Sequence, residues 1–179
     1  MKTLFLFILF SLFFFQGISQ STAKAVYVEA GGIGLPYSFS FDTRFNKGIN
    51  TGIGGRIGLG GFIIEDEKMI TVPLQVNWLL GKDKNYFELG VGATFVHYQG
   101  FSYQEYVCDI NGCYPTGEVY TGDFILPISN ENSFMGTLNF GYRRIPATSG
   151  FTWKAAITPL FNKNGFWPLF GGIGIGYKF

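Results

Sequence analysis

Two cysteines and one histidine are the residues in this chain whose side chains most often do chemistry. Cys108 and Cys113 bracket Asn111-Gly112, a residue pair typical of a tight turn. Two thiols brought together by a turn form a disulfide when the compartment is oxidising. Metal binding is the alternative, but two thiols with no nearby histidine make a poor structural site. We therefore predict a Cys108–Cys113 disulfide, no bound metal and no other cofactor.

The chain that must position these residues is poor in charge and rich in glycine. Charged residues make up 14% of the sequence, and 26 of the 179 residues are glycine. An ordinary globular protein has about 25% charged residues, so a soluble barrel of this size would lack the charge to cover its outer surface. The formal net charge is +1, which gives no basic surface for nucleic acid.

Bulky apolar side chains alternate with small or polar ones along most of the chain, which is the period of a β-strand. This pattern predicts an all-β fold, an antiparallel up-and-down barrel with a hairpin around 32–36. Proline interrupts the pattern at Pro73 and Pro159, where it removes a hydrogen-bond donor from the ladder. The period is lost over 100–132, which predicts a long loop. The eight predicted strands are 26–32, 37–45, 53–64, 70–80, 86–98, 134–143, 151–161 and 168–179.

The charged residues within these strands all share one face with the small residues. Arg or Lys facing lipid near the middle of a bilayer costs about 2–4 kcal/mol, so this face is predicted to be the interior. An eight-stranded barrel is just wide enough for side chains to fill it, which predicts a closed lumen of mixed charge. The predicted interior charges are Glu29, Asp42, Arg44, Arg56, Glu88, Arg143, Lys154 and Lys178.

The final twelve residues show the alternation most clearly. Ile173, Ile175, Tyr177 and Phe179 fall on one face, and small residues fall on the other. This segment resembles the closing strand of bacterial outer-membrane barrels, and the chain resembles the small, eight-stranded, OmpA/OmpX-like transmembrane β-barrel domain. The resemblance implies that the barrel-assembly machinery recognises these four residues as an assembly signal, with Phe179 at its end.

The start of the chain is consistent with that resemblance. Residues 1–19 contain one early lysine, an apolar run and then small residues, which are the parts of a secretory signal peptide. We expect cleavage after Ser19, which leaves residues 20–179 as one outer-membrane barrel domain. The resemblance implies a monomer in the outer membrane of a Gram-negative bacterium, in contact with membrane lipid and lipopolysaccharide. It also implies that the long loop over 100–132 is extracellular.

The expected role is structural or surface-interacting and non-catalytic, with the surface partner unknown. The first rival is a lipid-modifying enzyme, because lipid A deacylases of similar fold carry a catalytic histidine near the outer end of a strand, where His97 falls. Those enzymes have a serine two residues later, and this chain has Gln99 there. The second rival is a narrow channel or a carrier for a small hydrophobic ligand, which a filled lumen disfavours.

Overall fold

The computed structural model describes residues 22–64, 67–99, 102–110, 112–120 and 131–179. The predicted signal peptide, residues 1–19, lies outside this part of the chain. A 3-10 helix at Gly32–Gly34 follows the first strand. The strands are β1 (Thr22–Gly31), β2 (Tyr37–Lys47), β3 (Gly52–Ile64), β4 (Glu67–Lys82), β5 (Asn85–Gln99), β6 (Ser102–Asp109), β7 (Gly112–Tyr120), β8 (Glu131–Arg144), β9 (Gly150–Ile157), β10 (Leu160–Asn162), β11 (Gly165–Trp167) and β12 (Gly171–Lys178).

The eight long strands close into a barrel. They are hydrogen-bonded in the order β8-β5-β4-β3-β2-β1-β12-β9, and β9 pairs back onto β8. The first strand pairs with the last, with Val26 opposite Tyr177, and every pairing is antiparallel. A closed sheet pairs the edges that an open sheet exposes. The predicted eight-stranded antiparallel barrel is therefore confirmed.

The barrel has two different ends. Short turns at 48–51, 83–84 and 145–149 join strand pairs at the end where β1 begins and β12 finishes, and we call this the terminal end. The β1–β2 turn, the β6–β7 hairpin and the β10–β11 hairpin lie at the other end, which we call the hairpin end. The connections described at the hairpin end are therefore more elaborate than the turns at the terminal end.

The loop predicted over 100–132 contains a hairpin. β6 and β7 form a separate two-stranded sheet, in which Cys108 lies opposite Cys113. No strand was predicted over 102–109 and 112–120, where the structure has β6 and β7. The register of this hairpin shifts between Glu105 and Tyr106. An extra residue in a strand moves the following side chains to the opposite face. The alternation of apolar and polar residues is therefore interrupted, and the sequence pattern does not indicate a strand. Residues 121–130 lie outside the described residues.

The two prolines that interrupt the predicted strands, Pro73 and Pro159, affect the sheet in different ways. Pro73 lies inside β4, opposite Thr94 of β5, but the β3–β4 ladder has no pairing at 72–73. The backbone nitrogen of Pro73, which has no hydrogen to donate, therefore points toward β3, where the ladder is interrupted. Pro159 ends the predicted strand over 151–161, because β9 stops at Ile157 and the chain leaves to form β10. β10 pairs with β11 and with the start of β8.

Alternation along each strand separates the interior from the exterior. Residues 69, 71, 73, 75, 77 and 79 of β4 are buried, whereas their neighbours in sequence are exposed. The exposed residues in the middle of the barrel strands are apolar, whereas the buried residues include many polar and charged side chains. Within the described ranges, no helix has the length and apolar character needed to cross a membrane.

Candidate functional site

A ring of charged side chains crosses the barrel lumen. Arg56 Nη2 lies 2.8 Å from Glu88 Oε1, and Arg56 Nε lies 3.3 Å from Asp42 Oδ2. Arg143 contacts the same two carboxylates, with Nη2 2.5 Å from Glu88 Oε2 and Nη1 3.1 Å from Asp42 Oδ2. Two guanidinium groups therefore alternate with two carboxylates and tie four strands together across the barrel.

Three further charges extend this ring toward the wall. Lys154 Nζ lies 2.6 Å from Glu29 Oε2, and Arg56 Nη1 lies 3.8 Å from Glu29 Oε1. Arg44 Nη2 lies 2.7 Å from Asp42 Oδ1. We call the whole set the charge network, and its members are Glu29, Asp42, Arg44, Arg56, Glu88, Arg143 and Lys154.

The charge network is buried and carries more positive than negative charge. Each of its seven residues is at most 6% exposed. Four cations face three carboxylates, so the network has a formal charge of +1. A buried ion is costly without its partners, and removal of one partner from such a pair typically costs about 3–5 kcal/mol. The arrangement is therefore sensitive to the loss of any central residue.

Tyr27 lies at the centre of the network, although the sequence pattern did not single it out. Its ring centroid is 5.3 Å from the guanidinium carbon of Arg143 and 5.7 Å from that of Arg56. Lys154 Nζ lies 5.5 Å from the same centroid. The negative face of an aromatic ring attracts cations, so the ring helps to accommodate the surplus positive charge. Its position on the same strand face as Glu29, two residues later, is the signal that could have predicted this role.

Lys178 is the predicted interior charge that lies apart from the network. It is 9% exposed, and its Nζ donates to the backbone carbonyls of Pro146 and Ala147 at 3.1 and 2.9 Å. These carbonyls belong to the turn between β8 and β9 at the terminal end. Lys178 therefore stabilises the β8–β9 turn through hydrogen bonds to backbone carbonyls.

A polar layer adjoins the charge network on β4 and β8. Gln75 lies on β4, Thr137 and Asn139 lie on β8, and each is at most 2% exposed. Both side-chain polar atoms of Gln75, the Thr137 hydroxyl and Asn139 Nδ2 have no hydrogen-bond partner among the described protein groups. Buried polar atoms without protein partners are uncommon and costly. We call these three residues the polar layer.

The hairpin half of the lumen contains a cluster of apolar side chains beside the buried hydroxyls of Thr71 and Thr94, which differs from the predicted filling of mixed charge. The β1–β2 turn folds inward there, so that Ile33 is 1% exposed and Leu35 is 5% exposed. The predicted hairpin around 32–36 is present, with Ala30 opposite Tyr37, and its turn makes contacts inside the barrel. The side chains packed around it, which we call the apolar cluster, are Leu35, Met69, Val96, Tyr98, Met135 and Leu160.

The remaining chemical candidates lie outside the lumen. Cys108 and Cys113 are joined in a disulfide in the β6–β7 hairpin. His97 Nδ1 lies 2.9 Å from Asn132 Oδ1 on the neighbouring strand, at an exposed position. No group of three or more His, Cys, Asp or Glu side chains in the described ranges is arranged to hold a metal ion. The predicted assembly signal lies on the outer face of β12 and just beyond it, where Ile173, Ile175, Tyr177 and Phe179 are all more than half exposed.

The fold and the filled lumen define the class as closed eight-stranded antiparallel barrels with a polar network inside. The chain is similar to the N-terminal β-barrel domain of OprF from Pseudomonas aeruginosa, with a TM-score of 0.54 and 11% identity over 88% of this chain and 96% of that one. It also matches the outer membrane protein Ail of Yersinia pestis, whose structure was determined in a phospholipid bilayer nanodisc, with a TM-score of 0.47 and 12% identity over 89% of this chain and all of that one. No protein-family model and no curated protein matches the sequence.

Proposed function

We propose that this chain is a small integral barrel of the Gram-negative outer membrane, non-catalytic, with a structural or surface-interacting role. The observation that carries this proposal is the distribution of polar and apolar side chains, which is the reverse of that in an ordinary water-soluble protein. Charges are buried in the lumen, and apolar side chains cover the outside of every barrel strand. Such a surface needs a lipid environment, because exposed apolar area of this extent is unfavourable in water.

The position of the aromatic residues supports a membrane orientation. Trp78, Phe87 and Tyr142 are exposed on the outer face near the terminal end, and Tyr142 packs against Trp153 with ring centroids 5.1 Å apart. Girdles of aromatic residues mark the membrane interfaces of outer-membrane barrels. The terminal end is then periplasmic and the hairpin end faces the cell exterior. In this orientation the chain is a monomer in contact with membrane lipid and lipopolysaccharide.

Export and assembly belong to the same proposal. The signal peptide over 1–19 directs export, and the barrel-assembly machinery recognises the outward residues of the last strand. The structural similarity to the OprF barrel domain supports the barrel fold that this proposal of export and assembly requires. The OmpA/OmpX-like family assignment rests on the sequence pattern at Phe179 and the residues before it.

The β6–β7 hairpin is the element that we propose for surface interaction. It extends from the hairpin end as its own sheet, and Ile110 at its tip is fully exposed. Tyr106, Val107 and Tyr114 are each more than half exposed on the same hairpin. The disulfide beside the tip holds the two strands in register. An exposed apolar side chain at the tip of a disulfide-linked hairpin is suited to contact with another macromolecule.

The non-catalytic part of the proposal depends on His97. Among the described residues, its Nδ1 atom pairs with the Asn132 side chain rather than with a carboxylate or a serine. General-base catalysis needs a histidine within hydrogen-bond reach of the nucleophile that it activates. The Asn132 amide cannot serve as that nucleophile, so this pair resembles a cross-strand contact at a membrane boundary.

The membrane proposal is tested by Leu74→Arg. Leu74 is 60% exposed at the middle of β4. A lipid-facing arginine at mid-depth should cost about 2–4 kcal/mol of folding free energy, measured by urea titration in lipid vesicles. Ile63→Arg is the matched control, because Ile63 is exposed near the end of β3, where the same charge costs about 0–1 kcal/mol. Equal stability of the two variants, or a soluble periplasmic wild-type protein, would contradict the proposal.

A further inference from the structure

The β1–β2 turn crosses the lumen instead of projecting away from it. Thr94 Oγ1 donates to the Ile33 carbonyl at 2.6 Å, and Thr71 Oγ1 donates to the Gly34 carbonyl at 2.7 Å. These threonines lie on β5 and β4, and β5 stands four strands from β1 in the closed order. A turn that reaches across half of the eight-stranded circle must pass through its interior.

The backbone conformations of Gly31 and Leu35 direct the β1–β2 turn into the lumen. Gly31 has φ +73°, and a Cβ added to it would lie 2.2 Å from the Gly171 carbonyl oxygen, so only glycine fits there. Leu35 has φ +65°, which is an unfavourable conformation for a bulky residue. Burial of its side chain in the apolar cluster compensates for that conformation. Both ends of the turn are therefore adapted to a position inside the barrel.

The turn separates an apolar layer from a polar one. The apolar cluster surrounds it at the hairpin end, whereas Thr137 of the polar layer lies two residues further along the inward face of β8 than Met135. The polar layer contains buried groups without protein partners. Water that reached these groups would hydrogen-bond to them, and within the part of the chain that the structure describes, the turn and the apolar cluster oppose solvent entry from this end.

We propose that the segment 32–35 is an internal plug, which seals the lumen at the hairpin end and whose displacement gives small solutes access to the polar layer. The seal depends on two hydroxyl-to-carbonyl hydrogen bonds and on the packing of two apolar side chains. The charge network closes the lumen further toward the terminal end, so plug displacement opens a chamber with one entrance.

The test uses a cysteine at Thr137, a buried position beneath the plug, in the full chain. The native cysteines are paired in a disulfide and do not react under non-reducing conditions. The probe is a small, charged maleimide added to the folded protein in detergent, and the measurement is the rate of labelling by intact mass. Because the assay needs no membrane, its result is independent of the proposed cellular location.

Two variants displace the plug in different ways. In the first, residues 31–36 are replaced by Asn-Gly, which closes a two-residue hairpin on the paired residues Ala30 and Tyr37. In the second, Thr71→Val and Thr94→Val remove the two hydroxyl donors while they keep the side-chain shape. Thr152→Val is the matched control, because Thr152 is a buried residue that donates to the Arg144 carbonyl at 2.6 Å, away from the plug.

We expect Thr137→Cys to resist labelling when the plug is intact and in the Thr152→Val control. The rate should rise about tenfold or more in the double valine variant, which is the effect of losing two ordinary hydrogen bonds, and further in the shortened variant. Rapid labelling with the plug intact would overturn the proposal. So would a folded shortened variant that labels within about twofold of the parent. If the shortened variant fails to fold, the same criterion applied to the double valine variant decides the question.

Discussion

The two halves of the lumen are filled by opposite chemistries. Toward the terminal end, the charge network joins strands through ion pairs that radiate from Arg56. Toward the hairpin end, the apolar cluster packs around an inward-folded turn. Both solutions close a cross-section that a barrel of this size leaves just wide enough for side chains. The difference shows that a polar interior is not required by the fold and can change along the axis of one barrel.

The two halves also respond differently to mutation. An ion-pair ring fails when one member is removed, because the partners that remain are buried charges. An apolar cluster loses energy in proportion to the atoms removed and to the cavity left behind. The charge network should therefore be less tolerant than the apolar cluster to single substitutions.

The largest effect is expected for Arg56→Met, which removes the cation that contacts Glu29, Asp42 and Glu88. The free energy of unfolding should fall by about 3–5 kcal/mol, measured by urea titration in detergent. The change balances three cations against three carboxylates. A loss below about 1 kcal/mol would mean that net charge matters more than pairing and would remove the contrast between the halves. Arg144→Met is the control, because Arg144 is an exposed residue on the outside of β8 and should change stability by less than about 0.5 kcal/mol.

The second effect tests the apolar half through Met135→Ala. Met135 is fully buried in the apolar cluster, and its truncation should cost about 2–4 kcal/mol in the same titration. Leu169→Ala is the control, since Leu169 is 81% exposed near the hairpin end and should lose less than about 0.5 kcal/mol. A cost for Met135→Ala above that of Arg56→Met would reverse the ranking of the two halves.

A smaller effect is expected on the outer surface, for Phe179→Ala. Phe179 is 53% exposed and packs against Phe41 with ring centroids 6.5 Å apart. Loss of the ring should cost about 1–2 kcal/mol of stability in detergent. We expect a much lower membrane level in cells, because the assembly machinery is proposed to recognise this residue. Immunoblots of membrane fractions measure that level, and normal insertion would remove Phe179 from the assembly signal.

The smallest effect on the barrel is expected for Cys108→Ser with Cys113→Ser. The hairpin that they join is a separate sheet, so the free energy of barrel unfolding should change by less than about 0.5 kcal/mol. Proteolysis within 102–120 should become faster, because the disulfide limits the unfolded states of the hairpin. Mass spectrometry of limited digests measures this rate. An unchanged rate, or a destabilised barrel, would show that the hairpin is held by something other than the disulfide.

The sequence predicted the faces of the strands well and their partners poorly. Alternation places Glu88 and Arg143 on the inward face, because side chains in a strand alternate between two sides. Alternation does not reveal the stagger between strands, so it could not predict that these two side chains meet at 2.5 Å. Pro73 and Pro159 both interrupt an alternating pattern in the sequence. Only the strand pairing in the structure shows that Pro73 lies within a strand, whereas β9 ends before Pro159.

The plug was the larger omission. Its glycines predict a turn, but the direction in which a turn folds depends on contacts with residues distant in sequence, such as Thr71 and Thr94. The presence of Ile33 and Leu35 in that turn was the available signal. Apolar residues at both positions are unusual in a solvated turn and indicate burial.

The pairing of β1 with β12 has a consequence for how the chain is made. A ribosome completes β1 early, yet the strand that must cover its open edge is synthesised last. Until then the nascent chain carries a strand edge that can pair with other chains, and no earlier strand in the hydrogen-bonded order replaces β12. Closure brings together segments from opposite ends of the described chain, which makes it slow as well as late. The edge of β1 therefore stays open until β12 has been made, so we expect the yield of closed barrel to depend on how well that edge is protected from other chains in this interval.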